Sequence, residues 1–210
     1  MLKKSLLPLI ALMALTPVAF AIPDAGGGPA RAGGPAQPAP PPPPDAAKAK
    51  KAFTIGYEEY QMASGLESAG VAMSGEAAMR NKEAVTAAFT RSRDRFRVAA
   101  QAGPDMKEAW NMLGYTSRKL GNYDESLAAY EKALALAPDY PEAIEYRAEL
   151  YMLTGKLALV KEAYASLQKS MPSYAEVLKT AMNDWLKAKK TAPGLAETDR
   201  SEFAAWVAKL

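Results

Sequence analysis

The chain contains no histidine and no cysteine among its 210 residues. The first absence removes the usual general base and the commonest zinc and copper ligand, and the second removes thiol nucleophiles, thiolate metal sites and disulfides. No metal or organic cofactor is therefore expected. No G-x-S-x-G or phosphate-cradling glycine loop is present either, since Gly26 to Gly28 lie far from any strand-to-helix turn. Paired carboxylates are the one acid/base device that composition leaves open. The adjacent Glu58 and Glu59 point about 100° apart on a helix and cannot face each other, so no catalytic role is expected. Ten methionines are scattered without M-x-M clusters, which reads as core filling and not as a soft copper site.

An excess of one charge is also missing. Removing Lys3 and Lys4 with the N-terminal segment leaves 24 basic against 23 acidic residues, a balance of about +1, so neither nucleic acid nor an anionic membrane surface is expected as partner. Those two lysines precede an apolar run from Leu6 to Phe20 that ends in Ala19-Phe20-Ala21, the small-x-small pattern of an export segment cleaved near Ile22. With Pro8 and Pro17 inside it, the run falls short of the roughly 20 apolar residues of a membrane span. Residues 1–21 thus read as a signal peptide, and the protein as periplasmic or secreted, without stable membrane insertion. Residues 22–45 follow with nine prolines and five glycines, a composition that cannot bury a core and reads as a disordered, partly polyproline-II tether reaching up to roughly 70 Å.

What remains is helical and periodic. Lys107 to Tyr140 and Pro141 to Tyr174 are each 34 residues long and agree at Glu108/Glu142, Ala109/Ala143, Gly121/Gly155, Ala129/Ala163, Tyr130/Tyr164, Pro138/Pro172 and Tyr140/Tyr174. Each glycine turns one helix into the next, and each proline ends the second helix of its pair. Asp105, Asp139 and Ser173 recur in phase, each followed three residues later by Glu108, Glu142 or Glu176, and read as capping boxes.

The spacing of Trp110, Leu113, Gly114, Tyr130, Ala133 and Pro138 resembles the tetratricopeptide repeat pattern, from which Ser117 and Ser126 depart. The second repeat keeps Tyr151 and Tyr164 but carries Ile144, Arg147 and Val160 at other signature positions. Upstream, Ser92, Phe96, Ala99 and Pro104 precede Ser126, Tyr130, Ala133 and Pro138 by 34 residues and mark the second helix of a degenerate repeat at about 73–106. Its first helix falls near 75–88, unless one continuous helix replaces the pair. A second degenerate repeat covers about 175–210, with Val177, Leu178, Ala181, Met182 and Trp185 as one apolar stripe. Phe203, Trp206, Val207 and Leu210 form a terminal capping helix, with Asp199 and Glu202 as its capping box. Residues 46–63 read as a helix capping the front, and Gly65, Gly70 and Gly75 punctuate a stretch whose order is left open. The fold class is all-α: stacked antiparallel helix pairs, a solenoid over 46–210.

The resemblance implies that the first helix of each pair lines a concave groove that binds a peptide or protein segment. The matching positions are Glu108, Asn111, Tyr115, Arg118 and Lys119, then Glu142, Glu145, Glu149, Met152 and Leu153. Asn111, Arg118 and Lys119 are suited to a carboxylate or backbone carbonyls, whereas the glutamates of the second repeat suit a ligand that is basic there. Read as a groove position, Arg118 contributes to binding and little to stability. Trp110 fills the contact between helix pairs. The basic run Arg91 to Arg97 reads as a solvated helix surface with Phe96 buried. Two readings follow: an exported adaptor or scaffold that binds a protein segment, or an envelope component that self-associates through its degenerate ends.

Overall fold

Glycine and proline punctuation divides the described residues into eight helices, and there is no strand among them. The structure, a computed structural model, describes residues 44–189 and 191–210. The export segment and all of the tether except Pro44 and Asp45 lie outside the described residues. The helices are α1 (Ala46–Gly70), α2 (Gly75–Ala102), α3 (Lys107–Lys119), α4 (Tyr123–Leu136), α5 (Pro141–Leu153), α6 (Leu157–Ser170), α7 (Pro172–Lys187) and α8 (Glu197–Val207). They pack as successive pairs, with further contacts from α3 to α5 and from α5 to α7 that stack the pairs side by side. No helix among the described residues is long and apolar enough to cross a membrane.

The turns obey the glycine and proline logic. Gly121 and Gly155 sit at φ of 80° and 73° between the two helices of their pairs, a conformation that a Cβ disfavours. Pro104 and Pro138 lie two residues beyond the ends of α2 and α4.

The capping boxes at Asp105, Asp139 and Ser173 are not formed. Met106, Tyr140 and Met171 occupy the cap positions, and no side chain bonds the helix starts there. Pro141 and Pro172 stand at the first helical position, where the missing N–H needs no cap and the ring presets φ. Pro172 therefore starts α7 directly after Met171, and Ser173 lies inside the helix. Asp199 and Glu202 likewise fall inside α8, which begins at Glu197. The side chain that does cap is Asp45, which accepts from the Lys48 amide at 2.9 Å and starts α1. Glu108 and Glu142, released from capping, remain near the positive ends of α3 and α5.

The front of the domain differs most from the periodic expectation. Between the two readings of 75–102, the continuous helix is adopted, and α1 serves as its antiparallel partner along its length. Gly65 does not stop α1, because Leu66 packs beside Ala63 and Phe89 and its carbonyl accepts from Asn81 Nδ2 at 2.9 Å. At about 1.5 Å per residue, helices of 25 and 28 residues extend roughly 40 Å, against about 20 Å for the helices of 13 or 14 that follow. At the other end, α8 seals the stack: Phe203 meets Trp185 of α7 edge-on at 6.2 Å, and Trp206 meets Tyr164 of α6 at 5.7 Å.

Close approach within a pair rests on one recurring contact. Ser126 Oγ of α4 donates to the Gly114 carbonyl of α3 at 2.7 Å, and Ser92 Oγ of α2 donates to the Gly56 carbonyl of α1 at 2.7 Å. The serine that departs from the repeat pattern thus satisfies itself on the neighbouring helix. The second repeat substitutes the apolar pair Ala148 and Val160, both fully buried. A Cβ on Gly114 would lie 2.6 Å from the Tyr130 ring, which is itself fully buried. Gly114→Ala is therefore expected to lower stability by about 1–3 kcal/mol, read as a drop in urea midpoint with unchanged slope.

Candidate partner-binding groove

The first helices of the pairs, α1, α3, α5 and α7, carry a continuous polar and aromatic layer. From α1, Tyr57 and Tyr60 lie 5.5 Å apart between ring centroids. Tyr60 meets Tyr115 of α3 edge-on at 5.4 Å, and Tyr115 meets Tyr146 of α5 at 4.9 Å. All four rings are half-buried. They form a row across three helices, with neighbouring rings packed on one another. Phe53 extends it toward the start of α1, 6.3 Å from Tyr57.

Under this row lies an ion pair between neighbouring repeats. The Arg118 guanidinium of α3 donates through Nη1 to Glu149 of α5 and stacks 5.2 Å from the Tyr115 centroid and 6.0 Å from that of Tyr146. Arg118 is only 9% exposed. Burial alone would lower its pKa, but Glu149, Tyr130 and Tyr115 together outweigh that and raise it, so it stays charged. The expectation that Arg118 contributes little to stability is corrected: it is part of the joint between α3 and α5. Removing it would leave half-buried Glu149 without its counter-ion and take away the stack on Tyr115 and Tyr146, so Arg118→Ala should destabilise by about 2–4 kcal/mol in chemical denaturation. Lys would restore only part of this, lacking the planar fork that stacks on the tyrosines.

Glu145 shares this layer and is 1% exposed. Burial raises its pKa well above the usual carboxylate range, and the charge of Glu149, with which it is within hydrogen-bond reach, raises it further; Arg118 opposes the shift and Glu142 adds to it. The folded state thus holds a proton that the unfolded chain releases. Stability from this group is greatest below the ordinary glutamate range and declines as pH rises toward the folded-state value. Glu145→Gln removes that decline, so the variant should gain stability over wild type progressively from pH 4 to neutrality, measured by urea midpoints across that range.

The remaining candidates divide. Asn111 is 2% exposed, and its amide lies against the Tyr140 hydroxyl. Glu142 accepts from the Tyr174 hydroxyl of α7 at 2.6 Å, which links α5 to α7. Glu108 is half-buried and has no cation within ion-pair distance among the described residues. Lys119 pairs with Glu67 of α1 at 2.6 Å. Met152 is buried in the apolar core and Leu153 packs on it, so neither presents a groove surface. The arginine run lies on the helix surface, with Arg91 and Arg95 exposed and Phe96 fully buried, and Arg91 pairs with Glu59 of α1 and Arg97 with Glu125 of α4. Trp110 packs against the core on both sides of α3 while its indole Nε1 donates to the Pro104 carbonyl at 2.9 Å.

Tyr57, Tyr60 and Tyr146 were not among the residues expected from spacing. Tyr146 sits one residue from Glu145, on the flank of the face that the periodicity selects. Tyr57 and Tyr60 lie on a helix out of phase with the repeat. Their i, i+3 spacing on one face was the available clue.

The matched segment agrees with this geometry. Residues 107–140 are a tetratricopeptide repeat by match to that family. A 67-residue stretch is 39% identical to protein O-mannosyl-transferase TMTC1 of Homo sapiens, over 32% of this chain and 8% of that protein. An 83-residue stretch is 32% identical to the peroxisomal targeting signal receptor of Kluyveromyces lactis, over 40% of this chain and 14% of that protein. The chain spans a small fraction of either relative's length.

Proposed function

We propose that this protein is a non-catalytic adaptor or scaffold that binds an extended protein segment along the inner helices α1, α3 and α5. The observation that carries this reading is the tyrosine row from Tyr57 to Tyr146. Half-buried rings of this kind give an extended chain flat apolar surface at low entropic cost. No acid/base device is proposed, since buried Glu145 and half-buried Glu149 are neighbours on one helix and engage each other and Arg118. Residues 1–21 support export to the periplasm or the medium, where the tether 22–45 would space the helical domain from its point of attachment.

The test is site-specific photo-crosslinking in cells. A photoreactive residue replaces half-buried Tyr57, and a control replaces exposed Ser166 on α6. The expected result is capture of a partner from position 57 and not from 166, with the crosslink mapped to an extended segment. Equal capture from both positions, or none from either, refutes the groove reading.

A second reading is favoured by one specific feature. The tip of the α1–α2 hairpin exposes Val71 at 87% and Met79 at 67%, with Met62 and Met73 also exposed, an apolar set suited to association with a second copy. Self-association predicts that particle size rises with concentration in light scattering and that Met73→Glu with Met79→Glu abolishes the rise. An adaptor stays monomeric until its partner is added.

A further inference from the structure

Two acceptor oxygens in the groove layer have no donor: Asn111 Oδ1 and Glu145 Oε1. They occupy the same position in successive repeats, 34 residues apart, one on α3 and one on α5. The nearby cations are already engaged. Arg118 is held by Glu149, Lys119 by Glu67, and Lys107 lies over the Tyr140 ring at 4.6 Å. One turn before each orphaned acceptor stands a further carboxylate, Glu108 or Glu142, and neither has a cation within ion-pair distance among the described residues. Against these two acceptors the layer leaves one donor without a partner, the enclosed Arg118 Nε, and its uncompensated charge is the pair Glu108 and Glu142, which reverses the carboxylate-binding role that Asn111, Arg118 and Lys119 suggest in sequence.

We propose that the groove takes a basic polyproline-II segment of another protein, with one Arg or Lys paired to half-buried Glu108 next to the enclosed Asn111 and a second paired to half-buried Glu142 next to the enclosed Glu145. This inference rests on the groove reading above. The spacing follows from geometry: packed helices lie about 8–10 Å apart. A polyproline-II chain has three residues per turn and rises about 3.1 Å per residue, so positions i and i+3 share a face about 9.3 Å apart. Two basic residues three apart thus meet two equivalent positions of successive repeats, and the tyrosine row offers the aromatic surface on which such a chain packs. The protein's own proline-rich tether does not supply the pair, because Arg31 is its sole basic residue between 22 and 45.

Fluorescence anisotropy with the full chain tests this, using labelled nine-residue Pro/Ala peptides with Arg at i and i+3, and counterparts with Gln pairs, Glu pairs, or the second Arg moved by one residue. The Arg i, i+3 peptide should bind at least tenfold tighter than each of the others and weaken as salt is raised. Glu142→Gln combined with Glu145→Gln should reduce its affinity about tenfold while circular dichroism shows the helices intact. Equal binding of the Gln peptide, preference for the Glu peptide, indifference to the one-residue shift, or binding by none overturns the proposal. Its failure is distinguishable from failure of the groove reading: a mapped crosslink from position 57 to a segment without paired basic residues sinks the subsites and keeps the groove, whereas no capture at all sinks the groove itself.

Discussion

The seating of the Tyr130 ring on Gly114 is the contact on which the rest of the structure depends. A side chain at 114 would collide with the ring at 2.6 Å, so only glycine lets α3 and α4 approach closely enough for Ser126 to reach the Gly114 carbonyl. With its ring so placed, Tyr130 carries its hydroxyl to the Arg118 guanidinium, whose other face stacks on Tyr115 and whose Nη1 is held by Glu149. A packing constraint inside one helix pair is thereby transmitted through a single arginine to the next pair.

That transmission explains why the groove is acidic although the chain is nearly neutral. Its cations are consumed by structure: Arg118 joins α3 to α5, and Lys119 joins α3 to α1 through Glu67. The carboxylates have fewer obligations. Proline-led helix starts relieve Glu142 of capping, and Glu108 is likewise unused at its helix start; burial beside Glu149 disfavours the charged form of Glu145. Charge balance along the sequence therefore says little about the electrostatics of this surface, because pairing partners are chosen by tertiary proximity.

The long α1–α2 hairpin gives the domain two unlike regions. Near α3 its inner face supplies Tyr57 and Tyr60 to the groove, while its far tip leaves Val71, Met73 and Met79 in solvent. The tyrosine row and the exposed apolar tip are thus separate in space, and substitutions at one need not disturb the other.

The sequence by itself determined the all-α class, the two 34-residue helix pairs, their glycine turns and the capping role of the last helix, because these rest on local backbone preferences and a periodicity of apolar residues. It also selected the face bearing Asn111, Arg118, Glu145 and Glu149. Tertiary structure decided what that face is. Spacing on one helix cannot reveal that a neighbouring helix covers Arg118, Asn111, Glu145 and Met152, nor that a tyrosine one position away, Tyr146, turns onto Tyr115. It decided the front of the domain too, where Gly65 lies within α1 and α1 takes the place of the helix that the period puts at 75–88. A glycine ends a helix only when nothing packs across it, and here Leu66, Phe89 and the Asn81 hydrogen bond hold the helix past that point.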